Sequence, residues 1–406
     1  MASGVTSRTQ RPRSGFRGWV VLTCATATGW LLAASSQACE VPEGPPTLAL
    51  ERCLLVEQGM RANLEGRYDE ADATWRALRE LDPTDPAPEI WSAETGLWRL
   101  ILDPRASQHE ASIDAAADRA IELADIRLER NAADGEALSH KGMALMIQAR
   151  LNGMQGRYLS AGRAGEQGRP LLERSLVLDA SQAQGQFPLG VYYYYAGIAP
   201  SFIKWVSWLW FVPKGDREKG LSLMRQVRDG QGIRSDEARF MLMIIDNYHA
   251  PSDLESALAS GHLLHQRYPD NLLFHSELIE VLVKSGQYDE AIETALALEQ
   301  RQPSDVEALG RPMLARILRA QATLLNGNSV EAWRILESMD ERTTPLPVWG
   351  GAWLHLVRGQ VLDARGERKA AVAEYHRVKN LKGLAYNERA ALIAEAALDA
   401  PFVSAD

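Results

Sequence analysis

Cysteine is scarce in this chain of 406 residues: there are three, Cys24, Cys39 and Cys53. So few cannot supply the ligand spacing of a structural metal site. Excess positive charge is also missing. The formal charge is −9, whereas a general nucleic-acid binder presents a basic face. Lysine is rare, with 8 against 36 arginines, a bias that fits a GC-rich genome better than any chemistry. No Gly-x-Ser-x-Gly elbow is present, so nucleophilic catalysis has no candidate residue. The eight histidines are scattered. His262 and His265 share one helix face, but no third ligand follows in the pattern of a zinc enzyme, and an ordinary surface pair is the simpler reading. The absence of these devices excludes the common enzyme classes and leaves no cofactor to assign.

What is present is a chain that is 46% hydrophobic and 24% charged, able to bury a large core. A single compact core of this length is unusual, so several domains or a repeat array is expected. Residues 1–38 differ from the rest. They hold Arg8, Arg11, Arg13 and Arg17 and no acid, then an apolar run from Trp19 to about Ala34, then Ser36-Gln37-Ala38. A basic start, an apolar middle and a small-residue exit describe a secretory signal, or an uncleaved N-terminal anchor. The run is short for a stable span, which needs about 20 apolar residues. Cys39 sits where a lipoprotein signal would place its cysteine, but Ser36 stands where that signal wants Leu. Cys39 and Cys53 are the candidates for a disulfide in an oxidising compartment, two unpaired thiols being the alternative.

Repeats decide the fold. In "NLLFHSELIEVLVKSGQYDEAIETALALEQRQP" (271–303), Leu272, Leu278, Val281 and Leu282 make one apolar stripe, Gly286 a turn, and Tyr288, Ala291, Ala295 and Leu298 a second stripe. Pro269 and Pro303 lie 34 residues apart. The same grammar gives Gly66, Tyr68, Ala71, Trp75 and Pro83, then Gly327, Ala332 and Leu336, then Gly366, Ala370 and Tyr375. These residues resemble those of tetratricopeptide repeat (TPR) proteins. The resemblance implies an all-α, right-handed superhelical solenoid of seven or eight helix pairs over 39–399, followed by a tail at 400–406. In that family the turn glycine and small alanines let two antiparallel helices approach. Longer pairs are expected at 87–131, 134–179 and 182–229, a normal one at 236–267, and a capping helix near 385–397.

Two apparent ligand motifs are better read as structure. "GDREKGLS" (215–222) has phosphate-loop spacing, but Leu221 stands where the loop needs Lys, so Asp216 is expected to cap a helix instead. Gly-rich 153–168, with Arg157, Arg163 and Arg169 in or beside it, is an anion-site candidate whose simpler reading is close helix packing.

The stretch from Phe187 to Met224 stands apart. Tyr192, Tyr193, Tyr194 and Tyr195 are consecutive, so at 100° per residue they wrap a helix and at least one should face outward or into the groove. An apolar insertion at about 200–213, bracketed by Pro200 and Pro213, holds Trp205, Trp208, Trp210 and Phe211. It can plug the superhelix, receive a partner, or dip into a membrane surface. Gly190-x-Tyr192-x-Tyr194, Pro200 and Gly215-Asp216-Arg217-x-x-Gly220 are similar to a segment of exported bacterial TPR proteins. A related arrangement occurs in TPR proteins of the mitochondrial outer membrane. The expectation is a non-enzymatic scaffold, exported to the periplasm or associated with an envelope membrane, holding a protein or peptide in its groove. A peripheral membrane component that assists envelope assembly is the alternative. The four tyrosines, three tryptophans and Phe211 are the expected contacts.

Overall fold

The computed structural model describes residues 48–403 apart from 104–106, 180–183, 199–214, 231, 250–251, 304–307, 341–342, 348 and 382–387. The chain divides into Met1–Ala34 and Ser35–Asp406, and every described residue lies in the second unit. The expected leader, Cys39 and the insertion with Trp205, Trp208, Trp210 and Phe211 lie outside the described residues.

All regular structure among the described residues is helical, and it falls into eight consecutive pairs and a final helix. The pairs are α1 (Leu48–Leu64) with α2 (Tyr68–Leu81), α3 (Ala87–Leu102) with α4 (Gln108–Arg130), and α5 (Gly135–Met154) with α6 (Tyr158–Leu178). Next come α7 (Gln186–Ile198) with α8 (Arg217–Asp229), α9 (Ser235–Tyr248) with α10 (Leu254–Arg267), and α11 (Leu272–Lys284) with α12 (Tyr288–Glu299). The last two are α13 (Arg311–Leu325) with α14 (Ser329–Leu336) and α15 (Gly350–Ala364) with α16 (Arg368–Asn380), and α17 (Glu388–Asp399) caps the array. Helices adjacent in sequence are adjacent in space, which makes the chain an α-solenoid.

Five pairs share one turn. At Gly66 the φ angle is +77°, its amide bonds to Asn63 O, and the next amide, Arg67 N, bonds back to Ala62 O. Gly286 repeats this with φ +73° and the pair Gly286 N to Val283 O and Gln287 N to Leu282 O. The same two bonds recur at residues 156, 327 and 366. This is the Schellman ending, which satisfies helix-end carbonyls through one left-handed residue, and glycine adopts that conformation without a side-chain clash. Starts are fixed by side-chain caps: Asp134 accepts from Ala137 N, Asp216 from Lys219 N, and Asn271 from both Leu273 N and Phe274 N.

Close approach explains the other recurring spacing within the array. A β-carbon on Gly59 would lie 2.2 Å from the Trp75 ring, and one on Gly359 would lie 2.4 Å from the Tyr375 ring. In both pairs the large residue, sixteen positions on, packs against the bare backbone of its partner helix.

Burial separates the two helices in most pairs, the first pair being the exception. On α3, 13 of 16 residues are buried, and on α11, 10 of 13. On α4 only 5 of 23 are, and on α12 only 3 of 12. First helices therefore face the inside of the solenoid and second helices form its outer wall. The inside is bridged by large side chains from distant pairs. Trp98 of α3 meets Phe240 of α9 at 5.6 Å and Phe274 of α11 at 6.1 Å between ring centres. Asn271 Nδ2 donates to Leu64 O at 2.9 Å. Arg311 Nη2 donates to Ile101 O at 2.9 Å and Leu102 O at 3.2 Å, satisfying carbonyls at the end of α3. These contacts tie the first two pairs directly to pairs five, six and seven across the inside of the solenoid.

Candidate functional site

The four consecutive tyrosines of α7 do different work. Tyr192, Tyr193 and Tyr194 are buried. Tyr192 OH donates to Glu166 Oε1 at 2.6 Å, and burial is the main cause that raises its phenol pKa. Tyr193 OH bonds to Glu173 and accepts from Lys219 Nζ at 2.7 Å, tying α6, α7 and α8 together. Tyr194 is fully enclosed, edge-on to Tyr195 and His249. Tyr195 alone keeps an open face, being 39% exposed.

The glycines beside these tyrosines serve packing. A β-carbon on Gly220 would sit 2.5 Å from the Tyr194 nitrogen, and one on Gly215 would sit 2.0 Å from the Gly197 nitrogen. The phosphate-loop spacing is therefore that of two backbones in contact, with Asp216 as the cap. On α6 a β-carbon at Gly165 would lie 2.2 Å from the Tyr192 ring, and Arg169 is held by Glu166 and Glu173. Gly165 and Gly168 of the Gly-rich stretch thus serve packing, while Gly153 and Gly156 meet open space at the turn.

Two clusters of charged and aromatic side chains join separate helix pairs on the inner face. The first joins α3, α5, α7 and α9. Arg234, just before α9, donates to Glu94 Oε1 at 2.7 Å and Glu237 Oε2 at 2.9 Å, with its guanidinium 4.7 Å from the Trp91 ring. Burial, opposed by Arg234 and aided by Glu94, pushes the Glu237 carboxyl up to about 7. Arg150 of α5 and Tyr195 complete this station. Burial pushes the Tyr195 phenol up to about 12, and Arg150 is the charge that opposes the rise.

The second station joins α9, α11, α15 and α17. Tyr248 is 38% exposed, yet burial drives its phenol well above the usual value. Its hydroxyl lies 2.9 Å from Glu277 Oε2 and 2.6 Å from Glu280 Oε2. One phenol proton cannot serve two carboxylates, so a proton held on one of them completes the arrangement. Burial and the Glu280 charge push Glu277 up to about 7, which makes it the holder. Lys284 Nζ lies 4.0 Å from the centre of the Tyr248 ring and donates to Asn247 Oδ1 at 2.6 Å. Burial lowers its ammonium to about 8, Arg389 adding to the effect and Glu280 opposing it. Arg389 approaches the Tyr248 ring at 5.4 Å and the Trp353 ring at 6.0 Å.

The histidine pair is resolved differently from a metal site. His262 lies 3.6 Å from Glu290, and His265 meets His275 at 4.3 Å between ring centres, with the rings tilted at 42°. No group of three or more metal-ligating side chains occurs among the described residues. Cys53 is disulfide-bonded. No described helix is long and apolar enough to cross a membrane.

No family model and no curated protein matches the chain. Among solved structures it is similar to yeast Tom70, with 11% identity, a TM-score of 0.37, and 86% of this chain covering 87% of that one. It is also similar to a tetratricopeptide repeat protein from Parabacteroides merdae, with 12% identity, a TM-score of 0.25, and 85% covering 99%. A third is IFIT1 with Gppp-AAAA, at 13% identity, a TM-score of 0.34, and 86% covering 90%. At these scores the likeness carries no functional weight, and the TPR-like fold rests on the chain's own turns and pairing.

Sequence reasoning reached Tyr195 as one of four equivalent tyrosines. It missed Arg150, Tyr248, Lys284 and Arg389. The available signal was a charged or polar residue at an inward position of a first helix, which a pattern search for apolar stripes discards.

Proposed function

We propose that this chain is a non-enzymatic scaffold of the bacterial cell envelope that holds a protein or peptide partner against the inner face of its solenoid. The carrying observation is the exposure of Tyr195 (39%) and Tyr248 (38%) on first helices, Tyr248 with Lys284 and Arg389 against its ring. Tyrosines flanked by cations are favoured anchors in binding hot spots. The envelope assignment is supported by the leader-like residues 1–38 and by the disulfide at Cys53, since such bonds persist in oxidising compartments.

The test is site-specific photo-crosslinking in the native host. A photoreactive residue replaces Tyr195, Tyr248 or, as an outer-wall control, Val177, which is 86% exposed. Cross-links to a discrete polypeptide from the two inner positions and not from Val177 are expected. Equal labelling from all three would refute the inner-face reading. The membrane alternative rests on the apolar segment with Trp205, Trp208 and Trp210. Changing all three to Ser would release a salt-resistant membrane fraction of the folded chain if that reading held.

A further inference from the structure

Guanidinium groups in this chain are generally committed to carboxylates: Arg99 to Asp69 and Asp72, Arg127 to Asp134 and Glu136, Arg319 to Glu299. Arg389 is not. It makes no hydrogen bond and no ion pair among the described residues, and its guanidinium rests on two rings, Tyr248 of α9 at 5.4 Å and Trp353 of α15 at 6.0 Å. The side chain is exposed, and α17, which carries it, packs on α15 and α16. Its reach to Tyr248 is therefore a bridge from the end of the array back to the fifth pair. Attraction between a cation and a ring extends to about 6 Å, so both contacts lie near its limit. A carboxylate without a cation stands beside them. Glu280 Oε2 accepts from Tyr248 OH at 2.6 Å and has no ion pair among the described residues. Glu277, 2.9 Å from the same hydroxyl, has Arg311 3.8 Å away. Lys284, 4.0 Å from the centre of the Tyr248 ring, is tied to Asn247 Oδ1 at 2.6 Å and so belongs to the wall rather than to its occupant.

Arg389 is thus a guanidinium on two aromatic rings that does not reach the carboxylate beside them. We propose that Tyr248, Trp353 and Glu280 form a slot for an arginyl side chain from a basic segment of the partner polypeptide, and that Arg389 is the chain's own occupant, displaced on binding. An incoming arginine is not fixed to α17, so it gains the ion pair with Glu280 that Arg389 lacks. A planar guanidinium stacks on a ring and forks onto a carboxylate, and an ammonium does neither as well. The formal charge of −9 draws a basic segment towards the chain. The inference rests on the scaffold reading above and names the chemistry of its partner. The competing account is purely structural, with Arg389 as a brace for the capping helix. The two accounts differ in sign: removing an occupant strengthens binding of a competitor, while removing a brace does not.

The experiment titrates the full chain with two fluorescent ten-residue peptides, alternating Gly-Arg and alternating Gly-Lys, at constant ionic strength. The Arg peptide is expected to bind roughly fivefold more tightly than the Lys peptide, because only a guanidinium uses both the rings and the carboxylate. Arg389→Gln should tighten Arg-peptide binding a few-fold. Arg130→Gln, the same charge change at an exposed position of the outer helix α4, should leave it unaltered. Glu280→Gln, which keeps an acceptor for the Tyr248 hydroxyl, should bring the Arg peptide down to the level of the Lys peptide, and Trp353→Leu should weaken it as well. Thermal melts check the fold of each variant. If Trp353→Leu does not fold, the half-buried Glu280 and the exposed Arg389 decide the matter. Equal binding of the two peptides, or a preference that survives Glu280→Gln, would overturn the proposal. So would unchanged or weaker binding in Arg389→Gln, the result a brace predicts, or an equal gain in Arg130→Gln. Failure of the scaffold reading itself would appear separately, as absent inner-face cross-links, since the synthetic peptides report the slot whatever the host supplies.

Discussion

The substitution Glu277→Gln should change how stability depends on pH, and the sign can be worked out. The carboxyl is 9% exposed and is pushed from 4.5 up to about 7 in the folded chain. Between those values the folded state holds a proton that the unfolded state has released, so stability falls as pH rises. The contribution is fully present below about pH 4.5 and lost above about pH 7. A shift of that size corresponds to about 3 kcal/mol. Unfolding entropy of about 2 cal/mol/K per residue over roughly 360 residues turns this into about 4 °C. The glutamine amide cannot titrate, so the variant should lack this component of the slope. It should lose about 4 °C less than the natural chain between pH 4.5 and pH 8. Part of the gain is offset by the lost attraction to Arg311, 3.8 Å away. Calorimetric melting at half-unit pH steps reads the difference. Parallel melting curves for the two proteins across that window would refute the buried-proton account of the Tyr248 station.

Arg311→Ala should destabilise by about 1–3 kcal/mol, because it strips the buried Ile101 and Leu102 carbonyls and the Ser276 hydroxyl of their donor; denaturant unfolding and amide exchange at the end of α3 would register it. Gly59→Ala drives a β-carbon into the Trp75 ring and should cost about 1–3 kcal/mol, whereas Gly366→Ala meets open space and costs about 1–2 kcal/mol through its left-handed backbone alone, a contrast that thermal melts of both variants would test. Cys53 in the chain isolated from its host without reductant should resist alkylation until reductant is added, as followed by intact mass; immediate labelling would remove one support of the envelope assignment.

The helix pairs were legible because their signals are local. Glycine at 66, 286, 327 and 366 marks a left-handed turn, Asp216 marks a start, and the eight pairs fall where the apolar stripes put them. What crosses the inside was not legible. Arg311 and Ile101 are 210 positions apart, and Arg234 and Glu94 are 140 apart, with no periodic pattern relating either pair. A polar residue at an inward position reads locally as a break in a stripe, although in three dimensions it is a strut. Tyr192 to Tyr195 show the middle case. Helical geometry requires them to diverge, but only the neighbours Glu166, Glu173 and Met241 decide which one stays open.

The donation from Arg311 to the end of α3 also orders events in time. Chains are made from the N-terminus at about 5–20 residues per second. The 210 residues between Ile101 and Arg311 therefore take about 10–40 s to appear. Throughout that interval the first two helix pairs exist without the guanidinium that closes their carbonyls, and Trp98 lacks Phe240 and Phe274 for most of it. A solenoid with only neighbour contacts matures rung by rung as it is made. Here the first rungs synthesised are among the last completed, and Trp98 waits on ring partners that come more than a hundred residues later.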